Sequence, residues 1–117
     1  HTIHGPIVCV PYSNDINDFN LFARGGMSAS AGLETLKICF DQLYSEGAVT
    51  GRIMNVGLHP HVMGHAHRIG ALREFVEYAQ ARDKVWFPSR AEIARWYLTA
   101  HETHIPDSHL EVSKGKE

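Results

Sequence analysis

Three short apolar runs constrain this chain more than any other feature: residues 7–10 (I-V-C-V), 53–58 (I-M-N-V-G-L) and 85–87 (V-W-F). None of them alternates apolar with polar residues. A strand with one solvated face alternates, and one covered on both faces does not. Each run therefore reads as a buried parallel strand that expects a neighbour on each edge. Helical patterns follow them. Leu33, Leu36, Phe40, Leu43 and Tyr44 repeat at three- and four-residue steps, as do Ile69, Leu72, Phe75, Val76 and Ala79. Ser30 is the expected cap of the first helix, and Gly47 is expected to end it in a left-handed turn. Ser89-Arg-Ala-Glu92 has the form of a capping box and opens a helix through Ile93, Trp96, Tyr97 and Ala100. The order is βαβαβα, an α/β pattern of parallel strands with covering helices. Three such strands cannot close a barrel.

The second run leads straight into Leu58-His-Pro-His-Val-Met-Gly-His-Ala-His-Arg68, with histidines at 59, 61, 65 and 67. Pro60 stops the strand and turns the chain. His59 then stands at a strand's carboxyl end, where α/β proteins gather binding and catalytic groups. A histidine exchanges protons near neutrality, and a carboxylate on one ring nitrogen would fix its tautomer and orientation. The plain alternative is a histidine that only caps the strand end. A metal is another reading, since four imidazoles lie close in sequence. No H-E-x-x-H pattern supports it: His101-Glu-Thr-His104 is one residue short of that pattern, and His1-x-x-His4 reads as an accident of the terminus. We expect His61, His65 and His67 not to share one ion.

Composition removes several classes of partner. A formal net charge of −2 over 117 residues gives no basic field for nucleic acid or anionic membranes. No apolar run approaches the roughly 18 residues of a helical membrane span. Cys9 and Cys39 sit in apolar contexts and read as buried free thiols, which favours a reducing, cytoplasmic setting. Residues 11–20 (P-Y-S-N-D-I-N-D-F-N) are rich in Asn and Asp and read as an irregular loop.

Taken together, L-H-P, the short loop rich in His and Gly, and R-x-x-A-L-R-E-F-x-x-Y-A resemble the polysaccharide deacetylase (NodB-homology) superfamily. The segments V-P-Y-S-N-D-I-N-D-F, F-D-Q-L-Y-S-E-G and D-K-V-W-F-P-S-R-A-E-I-A-R-W extend the likeness, closest to the branch of allantoinases and cyclic imide hydrolases. The resemblance implies that residues 1–106 are the C-terminal portion of a distorted (β/α) barrel, with 107–117 a polar tail. It also implies hydrolysis of a non-peptide carbon–nitrogen bond in an N-acetylated sugar or a small cyclic amide. His59 would be the general acid. Asp15-x-x-Asp18-Phe19 is similar to the family's D-x-x-D-W, with Asp18 orienting His59 and Phe19 replacing the tryptophan. Phe19, Leu58, Pro60 and Trp86 are the candidate substrate-contacting positions.

His65 and Ala66 depart from the branch's G-R-P-x-R. The family's T-F-D-D base and H-x-x-x-H metal ligands are not in this sequence. A divalent metal such as zinc is therefore an open cofactor, with no ligand motif here. The expected partners are an amide substrate, the N-terminal half of the same domain and further copies of the chain. Alone, the chain is expected to associate and to be inactive. A non-catalytic interaction module and a histidine-rich metal binder are the competing readings.

Overall fold

The computed structural model describes residues 7–101. The expected tail at 107–117 and the pairs involving His1, His4 and His104 lie outside that range. The described chain contains a π-helix, Phe19–Arg24, followed by α1 (Ala29–Gly47), α2 (Pro60–Met63), α3 (Ala66–Gln80) and α4 (Arg90–Ala100). It divides into two units. One spans Pro11–Trp86, and the other contains residues 7–10 and the segment from Phe87 that bears α4.

In the larger unit, α1 packs along α3. Leu36 and Phe40 of α1 meet Phe75 and Ala79 of α3, all four buried. Phe40 lies edge-on to Phe75 and Tyr78, with ring centroids 6.1 and 5.8 Å away. Such arrangements place the positive edge of one ring on the negative face of the other. Outside this seam, Lys37 pairs with Glu74 at 2.7 Å, and Tyr78 donates its hydroxyl hydrogen to the Asp41 carboxylate. Ile16, Leu21, Phe22, Val62 and Met63 complete the core. Phe22 depends on a missing side chain: a Cβ on Gly32 would lie 2.3 Å from the ring. The ring's other support is Arg68, whose guanidinium sits 5.4 Å from its centroid and donates to the Val62 carbonyl.

Several expectations are corrected. Among the described residues no strand forms; the β contribution is one parallel bridge between Asn17 and Gly57. A ladder needs a partner along its length. Residues 7–10, 53–58 and 85–87 find none, although Met54, Val56 and Val85 pack on the core. Ile53, Leu58 and Trp86 remain 48%, 45% and 56% exposed, so the double cover read from their runs is not provided here.

The cap of α1 is Ser28, whose oxygen accepts the Ala31 N–H, while Ser30 lies inside the helix. The same helix closes through Ala48 in a right-handed conformation, without a left-handed Gly47. Cys9 is exposed and Cys39 half-buried; both are free. Trp96, one of the apolar positions of α4, is 44% exposed. The capping box of Ser89 and Glu92 forms in full at the start of α4. No helix among the described residues is long and apolar enough to cross a membrane.

Candidate active site

The parallel bridge places the site. Gly57 N–H donates to the Ile16 carbonyl and Asp18 N–H to the Gly57 carbonyl, each at 2.9 Å. This aligns the segment before His59 with the segment bearing Asp18. Asn17 holds the arrangement from inside. It is 6% exposed, its Oδ1 accepts the Phe19 N–H at 2.9 Å, and its Nδ2 donates to the Tyr12 hydroxyl at 2.7 Å. A Cβ on Gly57 would come within 2.7 Å of Asn17 Nδ2 and 2.9 Å of the Tyr12 oxygen, so glycine is required for that approach.

Asp18 has a fully buried side chain and spends both oxygens on His59. Oδ2 accepts the His59 backbone N–H at 2.7 Å, and Oδ1 lies 2.6 Å from Nδ1. A carboxylate accepts, so the Nδ1 hydrogen is assigned to this bond. Nε2 is left as the nitrogen that can hold or deliver a proton to a substrate. The backbone is fixed as well. His59 is the N-cap of α2 with Pro60 at its first turn, and its carbonyl accepts Val62 and Met63 N–H groups at 2.8 and 2.9 Å. Val62 and Met63, both 3% exposed, anchor this short helix in the core. The imidazole itself is 39% exposed.

Two rings flank it. Phe19, itself 40% exposed, lies 6.0 Å away and tilted, and His61 meets His59 edge-on at 5.6 Å. Of the remaining candidates, Leu58 and Pro60 adjoin His59 in the chain and are exposed. No hydrogen bond or ring contact among the described residues ties Trp86 to the pair. Asp15, the first acid of the motif, is exposed, with its backbone N–H on Ser13. Asn17 and Tyr12 were not singled out from sequence, although an Asn one residue before the key acid, in a loop dense with Asn and Asp, is a usable signal for a side chain that builds the turn.

The other loop histidines form a separate group. His65 Nε2 donates to the His61 carbonyl at 3.0 Å, and His65 and His67 stack at 5.7 Å. No three His, Cys, Asp or Glu side chains converge among the described residues. With His59 Nδ1 on Asp18 and His65 Nε2 on a carbonyl, these residues do not supply a ligand set for the divalent metal, and no step is derived through one. A groove of about 340 Å³ on the α1–α3 face, lined by residues including Lys37, Asp41 and Tyr78, contains neither Asp18 nor His59.

A buried carboxylate clamps a half-exposed imidazole, an arrangement chemically able to hold and pass on a proton. No family model matches the chain. It is 29% identical over 97 residues to a Schizosaccharomyces pombe protein described as a "putative polysaccharide deacetylase", covering 81% of this chain and 30% of that one. It also matches the crystal structure of a "probable polysaccharide deacetylase" from Pseudomonas aeruginosa PAO1, with 40% identity and a TM-score of 0.71, over 76% of this chain and 30% of that one. Both relatives support the likeness to the polysaccharide deacetylase (NodB-homology) superfamily. The chain spans about a third of the length of each.

Proposed function

We propose that this chain carries the general-acid half of an amide hydrolase of polysaccharide deacetylase type. The two-bond clasp of Asp18 on His59 carries the reading. Loss of a leaving amine from a tetrahedral intermediate needs a proton on nitrogen. Nε2 of a histidine held in this way can deliver it, and the resulting imidazole remains bonded to the carboxylate through Nδ1. Attack by water needs a base, which the T-F-D-D motif supplies in the family and this sequence does not. The exposed residues Ile53, Leu58 and Trp86 are then the surface on which the remaining strands of a (β/α) barrel would lie, whether from the same domain or another copy.

The substrate is an N-acetylated sugar or a small cyclic amide such as allantoin or an imide. The branch likeness around residues 11–18 and 57–60 favours the cyclic amide. Phe19 provides an aromatic wall without an indole N–H.

The test is a chimera in which residues 7–101 replace the matching segment of the Pseudomonas aeruginosa protein. It should hydrolyse acetylated chito-oligosaccharides or open allantoin or succinimide. His59→Ala should lower kcat by about 10²- to 10⁴-fold, the usual contribution of a positioned acid. A folded chimera whose activity survives His59→Ala refutes the assignment.

A further inference from the structure

The π-helix Phe19–Arg24 begins directly after Asp18, and its geometry plays no part in the acid chemistry. In an α-helix, residues five apart point about 140° away from one another. A π-helix bonds i to i+5 and returns them toward one face, and such turns recur at functional sites. Here the Gly25 N–H donates to the Asn20 carbonyl at 2.8 Å. A Cβ on Gly25 would lie 2.8 Å from both the Asn20 and Leu21 carbonyl oxygens, so a side chain at 25 conflicts with this closure. The consequence is that Arg24 comes over Phe19, its guanidinium 5.9 Å from the ring centroid. The same ring lies 6.0 Å from His59.

The Arg24 side chain is exposed and makes no ion pair or hydrogen bond among the described residues. By contrast, Arg52 is bonded to Glu46, Arg68 to Val62 and Arg82 to Tyr78. Its N–H donors are therefore available, on a guanidinium oriented by an aromatic face. Among the described residues the ring neighbours of His59 are Phe19 and His61, neither of them acidic, and both Asp18 oxygens are engaged. Arg24 and His59 thus share the Phe19 ring as a neighbour, at 5.9 and 6.0 Å, with no carboxylate among these ring contacts.

We infer that Arg24 recognises an anionic group on the substrate, so that the amide hydrolysed at His59 is an acidic one bearing a carboxylate. A planar guanidinium pairs with a carboxylate through two parallel hydrogen bonds. This inference rests on the reading of His59 as the acid of an amide hydrolase.

Two rings that differ by one carboxylate test it: dihydrouracil and dihydroorotate, each titrated at low salt while the His59 imidazole resonances are followed by NMR. Dihydroorotate should bind at least about tenfold more tightly, since a charge-assisted pair is worth that much. Arg24→Gln should reduce the ratio to about one, and Arg73→Gln, an exposed arginine on α3, should leave it in place. Equal affinities in the wild type, or a ratio that survives Arg24→Gln, overturn the role of Arg24 and leave His59 standing. If neither ring moves the His59 resonances, the site has been misread and the inference falls with it.

Discussion

His59 and Asp18 are 41 positions apart, yet both were legible in the sequence because each sits in a short motif whose chemistry demands the other. The side chains that build their surroundings were harder to read. Asn17 looks like one more turn-former until its two hydrogen bonds, to Phe19 and Tyr12, are seen together. Cysteine environment was misjudged for a similar reason, since an apolar neighbourhood in sequence does not decide which face of a segment is covered. Cys39 shows the physical effect of partial cover. Burial, and secondarily the charge of Asp15, raises its thiol above the ordinary range. The unfolded chain then loses the Cys39 proton first on alkaline titration. The contribution of this thiol to stability is intact below the unfolded value and declines as pH rises through about 8.5. Urea melts at pH 7 and 9.5 should show a lower midpoint at the higher pH, with the decrement smaller in Cys39→Ala.

Helices were legible from period and caps, whereas strands were not delivered as read. The difference is physical. A helix satisfies its own backbone, so the spacing of Leu36, Phe40, Phe75 and Ala79 suffices to predict it and its buried face. A strand needs a second chain segment in register, and residues 53–58 meet one only at Gly57. The cap of α1 was placed two residues late because Ser28 and Ser30 are chemically equivalent and only the backbone chooses between them; their hydroxyls lie 3.0 Å apart. The contact of the π-helix with α1 gives a sharper test. Gly32→Ala inserts a methyl where the buried Phe22 ring now sits. Helix propensity favours alanine by roughly 1 kcal/mol, but overpacking a tight core costs about 1–3 kcal/mol. The variant should be destabilised, as measured by chemical denaturation, and Phe22→Leu in the same chain should recover part of the loss.

At the scale of the molecule, the larger unit has a real core between α1, α3 and the π-helix, and it leaves large apolar side chains in the open. Ile38, Val49, Ile53, Leu58 and Trp86 are 63%, 88%, 48%, 45% and 56% exposed. Scattered apolar residues on a surface are ordinary. Three of these five, however, belong to runs whose lack of alternation calls for cover, and extended segments without ladder partners are templates for other chains. Purified alone, the 117-residue chain should self-associate with rising concentration. Light scattering coupled to size exclusion checks this, and a monomer mass at all concentrations would show that the open segments need no cover.

The central claim is that Asp18 fixes His59 with its proton on Nδ1, leaving Nε2 for the substrate. The ¹⁵N chemical shifts of the His59 imidazole report this directly. In the neutral ring the account predicts a protonated Nδ1 and an unprotonated Nε2, with this preference lost in Asp18→Ala. A neutral ring protonated on Nε2 in the wild-type protein, or shifts indifferent to the loss of Asp18, would contradict it.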